Sequence, residues 1–186
     1  MENFIIENST LIQYTGPGGA VVVPDGVTAL DARAFQSCGD ITSLTIGGRL
    51  TAVGDGIFSQ CKSLRMIVAP RTSLCFWAKE GRMLSALRGY LAHGHGYQAP
   101  EIVEEYERWI AQRQKLLPMI FREDAVRGLA AFARNGVVTA ENFESDFLQP
   151  AQKAQAKNCV AFLLDWQYVH IPQAQRDLQN WQEFEL

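Results

Sequence analysis

Apolar and polar positions along the first third of the chain recur with one period. Residues 20–41 lie over residues 43–64 without a gap, an offset of 23. Val27 falls on Leu50, Leu30 on Val53, Phe35 on Phe58, Cys38 on Cys61 and Ile41 on Leu64. Thr28/Thr51 and Ala29/Ala52 are identities, and Leu44 and Ile46 meet Ile67 and Ala69 at the start of an incomplete third unit. A unit of this length holds one short strand, a return segment and two turns, and cannot enclose its own apolar side chains. Stacked units can, so Phe35 is expected on Phe58 and Cys38 on Cys61, all four buried. Asp25-Gly26 and Gly47-Gly48 supply turn chemistry.

Around Ser73 the period of 23 stops and the spacing becomes helical. Trp77, Leu84, Leu87 and Leu91 define one face, expected to cover the open end of the stack after Ala69. Pro100 opens the next helix at its first position, with Tyr106, Trp109, Ile110, Leu116 and Leu117 on its apolar stripe. A third helix spans residues 124–134 with Val126, Leu129 and Ala130 inward, ended by Asn135-Gly136. Thr139 is an N-cap for a helix carrying Phe143 and Phe147. Val160, Leu163 and Leu164 mark another, and Leu178, Trp181 and Phe184 the last. Ala125-Val126 with Leu129-Ala130 also falls on Cys159-Val160 with Leu163-Leu164 at an offset of 34, a spacing similar to ankyrin-type helix pairs.

The string Val23-Pro24-Asp25-Gly26-Val27-Thr28, then Leu30, Ala34-Phe35, Cys38, Ile41 and Leu44, resembles the BspA-like leucine-rich repeat family. Residues 8–24 resemble that family's entry hairpin, and the likeness covers about residues 3–71. The second unit departs from it, with Gly47-Gly48 where the family turns on Pro-Asp or Pro-Asn. The resemblance implies a right-handed solenoid of the kind found in bacterial surface and adhesion proteins, serving recognition and not catalysis. The helical tract resembles the region that follows such repeats in some bacterial proteins. The expected fold is therefore α+β: a short right-handed leucine-rich-repeat-like β-solenoid over 1–72, then an all-α helical-hairpin domain over 73–186.

Charge adds little to this picture. Residues 1–73 carry 5 Lys/Arg against 6 Asp/Glu and the remainder 12 against 14, so neither half has the basic footprint of a nucleic-acid binder. No apolar run reaches the roughly 20 residues that span a bilayer, and the N-terminus lacks the basic and apolar regions of a secretory signal, which points to the cytoplasm although the resembled family is often on the cell surface. The four cysteines form no CxxC pair and read as free thiols; a Cys38–Cys61 disulfide is sterically open but second to reduced, buried thiols.

Candidate chemistry is sparse. His93-Gly94-His95 offers two imidazoles where a metal site needs three or four ligands. Gly16-Pro17-Gly18-Gly19 lacks the Gly-Lys-Ser/Thr ending of a phosphate loop and reads as a hairpin turn. No GxSxG occurs, and the acidic residues 101–107 read as a solvated face. These readings lead to a non-catalytic interaction module with no metal or cofactor and a protein or glycan as partner. Period-2 alternation points Val22, Thr45 and Val68 outward from the strands, with Thr42 and Arg65 flanking them, as the binding surface. The alternative is a small-ligand-binding protein or enzyme with a pocket in the helical half, for which polar groups would have to converge near His93, His95 and Glu101.

Overall fold

The computed structural model describes residues 3–173, so the helix expected around Leu178, Trp181 and Phe184 lies outside the described residues. The chain divides into two compact units, residues 1–106 and 107–186.

In the first unit, β1 (Phe4–Glu7) and β2 (Thr10–Tyr14) form an antiparallel hairpin. Asn8 and Ser9 turn it with φ of 47° and 61°, the left-handed conformation that two-residue hairpins demand. Next come β3 (Gly19–Val23), β4 (Ala29–Leu30), β5 (Ile41–Ile46), β6 (Ala52–Val53) and β7 (Met66–Val68). They sort into a sheet of order β1-β2-β4-β6 and a wholly parallel sheet of order β3-β5-β7. Val21, Leu44 and Ile67 are in register and buried, as are the Phe35 and Phe58 rings, which stack at 5.7 Å and 19°.

Two helices, α1 (Leu74–Lys79) and α2 (Met83–His93), close the exposed end of this core. Trp77 lies 6.1 Å from the Phe58 ring. The Arg82 guanidinium donates to the Phe58 and Cys61 carbonyls, Ser85 Oγ donates to the Leu64 carbonyl, and Tyr97 Oη accepts from Ala69 N–H. At Gly89 the helix backbone runs so near β7 that a Cβ would stand 1.9 Å from the Ile67 carbonyl oxygen. These side chains bond main-chain groups in the turns on either side of β7, and a buried polar group left unpaired costs about 1–3 kcal/mol.

The last helix of the first unit, α3 (Pro100–Ala111), begins at its proline as expected and continues into the second unit. There follow α4 (Leu117–Arg122), α5 (Val126–Arg134), a π-helical segment Phe143–Leu148, α6 (Gln149–Lys153) and α7 (Lys157–His170). Leu129, Phe132, Phe143, Phe147 and Leu163 form the buried core of this unit. Gly136, at φ 70°, ends α5 where the Asn-Gly signal placed its C-terminus.

Several expectations are corrected. The chain does not form the β-solenoid followed by helical hairpins. Its architecture is mixed α+β, with two small separate sheets and, among the described residues, seven α-helices. β4 and β6 hold two residues each, so the second sheet is narrow and the two sheets stay separate, with no continuous sheet closing round the core. Gly16-Pro17-Gly18-Gly19 is not a hairpin turn; it passes from β2 in one sheet to β3 in the other. Its glycines answer to crowding, since a Cβ on Gly16 would lie 2.5 Å from Tyr14 Oη and one on Gly18 2.5 Å from Asp40 Cβ. Leu84 is exposed, because Gly81 at φ 66° separates α1 from α2 and resets the helical phase that Trp77 had set. The stripe drawn from Tyr106 to Leu117 also breaks: α3 ends at Ala111, and Leu116 belongs to a separate 3-10 turn.

Candidate functional site

The parallel sheet β3-β5-β7 turns one face to the core and one outward. Pairing places Val22 opposite Thr45 and Thr45 opposite Val68, while Ala20, Ser43 and Met66 form the neighbouring row. Adjacent strands stand about 4.8 Å apart, so each row is a regular ladder of side chains. Val22 is 65% exposed, an unusual position for a valine in a sheet, and Thr45 and Val68 are half-buried. Thr42 and Arg65 are exposed at the strand entries, where Arg65 N–H donates to the Thr42 carbonyl at 2.9 Å. The five residues read from the sequence thus share one surface. Ala20, Ser43 and Met66 were missed there, although the same period-2 rule that selected Thr45 also points to them.

This surface rests on a rigid floor. Val21, Val23, Leu44, Ile46, Ile67 and Ala69 are all buried beneath it. The hairpin β1–β2 belongs to the other sheet and pairs with β4, so it adds no strand to this one. The lining is short aliphatic and hydroxyl side chains with one cation, Arg65. No carboxylate, imidazole or thiol is among these eight side chains.

The thiols follow the repeat. Cys61 Sγ contacts the Phe35 carbonyl and Cys38 Sγ the Tyr14 carbonyl, both at 3.8 Å. Burial pushes the Cys61 thiol up to about 11, with the neighbouring Cys38 adding and Arg82 opposing. Cys38 is free and only half-buried, against expectation, because its unit is the first of the stack. There it lines an open cleft of about 380 Å³ beside Tyr14, Ser37 and Asp40.

The remaining candidates do not converge. His93 and His95 are exposed with rings 6.3 Å apart, and Glu101 is exposed at the first turn of α3. Among the described residues no group of three or more His, Cys, Asp or Glu side chains is placed to hold a metal ion. No described helix is long and apolar enough to cross a membrane.

Two acidic residues read as solvent-facing have structural duties. Glu105 Oε1 accepts from Ser73 Oγ at 2.8 Å and from Cys75 N–H at 3.1 Å, capping α1 from a distant segment. Glu107 is buried and takes a two-pronged hydrogen bond from the Arg134 guanidinium. Neither pairing has a local sequence signature, since the partners stand about thirty residues apart.

Comparison with known proteins locates the likeness in the same region. No curated protein and no solved structure matches the chain. One family model does match, over residues 19–75, and it describes a BspA type leucine rich repeat region (6 copies). The span takes in β3, β5 and β7 with the turns between them, so the outward face described above lies within the region similar to that family.

Proposed function

We propose that the chain is a non-catalytic protein-interaction module whose contact surface is the outward face of β3-β5-β7. The observation that carries this reading is the in-register row Val22–Thr45–Val68, with Thr42 and Arg65 beside it, on a close-packed floor. Such a row costs little ordering entropy on binding, because the strands already hold it in place. Repeat proteins commonly bind through surfaces of this kind. In this reading residues 1–72 present the surface, and α1 and α2 close its end.

The test compares wild type with Thr45→Arg/Val68→Glu in affinity capture from lysate, read by mass spectrometry alongside thermal melts. A protein held by wild type and lost from the double variant, at nearly unchanged melting temperature, supports the assignment. A partner held equally by both moves the contact elsewhere.

A further inference from the structure

The second unit carries a groove that the reading above does not use. It lies between α4 and α6 and encloses about 720 Å³. Its floor is apolar: Leu117 and Phe121 are buried, and Pro118, Pro150 and Ala154 form the walls. Lys115 stands at one shoulder and Lys153 at the other, both exposed and neither in an ion pair with another described residue. Asp146 is the single carboxylate in the lining, and it accepts a hydrogen bond from Ser145 Oγ at 2.9 Å. Two cations against one anion, around an apolar floor, give the groove a net positive rim.

Local chemistry explains why the groove exists. Each wall helix is short and begins with a proline in its first turn, Pro118 in α4 and Pro150 in α6. A proline ring there has no N–H to bury and presents a flat apolar surface. Two such rings on facing helices leave a slot that neither side chain fills.

The volume falls in the range of about 300–1,000 Å³ usual for ligand sites. Its shoulders are exposed residues, however, and nothing in the lining closes over the top. An enclosed small molecule would stay uncovered on one side, whereas a peptide laid into a groove needs only one wall of contact. We propose that this groove binds a short acidic peptide. A bulky apolar side chain of the peptide seats between Pro118 and Pro150, and its flanking carboxylates meet Lys115 and Lys153. The lysines are exposed and so contribute through orientation and salt-sensitive attraction, with the apolar anchor setting most of the affinity.

The probe is a fluorescein-labelled peptide in which glutamates flank a Phe-Leu pair, titrated with the full chain and followed by anisotropy. Saturable binding is expected, weakened about tenfold or more in Lys115→Glu/Lys153→Glu, a change of about 1.4 kcal/mol. Ala154→Glu, which places a carboxylate on the groove wall, should weaken it similarly. Lys157→Glu, at the exposed start of α7 outside the groove, should leave it unchanged, and all variants should keep the wild-type melt. No binding to wild type, equal binding to the double lysine variant, or equal binding of a peptide with lysines in place of its glutamates would each overturn the proposal. Capture of anionic vesicles through the same lysines, without peptide binding, would overturn it in favour of a membrane surface.

Discussion

The two units solve the same problem, unsatisfied backbone at the end of an element, in different ways. In the parallel sheet of the first unit each strand's polar edge is met by the strand one period on, so the question is deferred until the repeat stops. Where the repeat stops, the chain around β7 is met by Arg82 just before α2, Ser85 within it and Tyr97 beyond it, on the Cys61 and Leu64 carbonyls and the Ala69 N–H. In the second unit the helices satisfy their own interiors, and only termini need help. There the Asp124 carboxylate accepts from Asn158 N–H at 3.1 Å and Cys159 N–H at 2.9 Å, capping α7 from the α4–α5 turn. A repeat therefore depends on its terminator far more than a helix depends on its cap.

Truncation is the most severe way to test that contrast. Residues 1–72 alone keep every strand but lose Trp77, Arg82, Ser85 and Tyr97, leaving apolar rungs and strand edge open. They should show no cooperative, monomeric melt, whereas residues 1–106 should. A cooperative transition in the shorter piece would mean that the repeat needs no terminator.

A single rung should cost less. Phe58 is buried, stacked on Phe35 and packed against Trp77, so Phe58→Ala should destabilise the first unit by about 3–5 kcal/mol in denaturant titration. A loss below about 1 kcal/mol would detach Phe58 from the stack that the period implies.

The helix cap should matter least. Asp124→Ala removes one capping carboxylate, worth about 1 kcal/mol. Burial opposes ionisation of Asp124, but the hydrogen bonds from Cys159 and Asn158 outweigh it and hold the carboxyl below its usual range. A carboxyl lowered in the folded state stabilises fully above its unfolded pKa, and that contribution fades as pH falls through the folded value. The gap between wild type and Asp124→Ala should therefore be constant at neutral pH and shrink in acid. A gap that widens in acid would reverse the assignment.

Much of this molecule was legible in its residues because the signals are local. The period of 23 put Phe35 on Phe58 and aligned Val22, Thr45 and Val68, since a repeated unit must meet its copy at equivalent positions. Pro100 and Asn135-Gly136 marked a helix start and a helix end through backbone restrictions that need no partner. The tertiary structure decided what depends on distant neighbours. It parted the strands into two sheets where a continuous coil was expected. It made Glu105 and Asp124 caps for helices far along the chain, buried Glu107 against Arg134, and required Gly89 where α2 meets β7. It also turned Leu84 to solvent once Gly81 broke the helix. Periodicity records which side of an element is apolar. Which carboxylate finds which N–H depends on where the folded chain brings them together, and no spacing along the sequence encodes that.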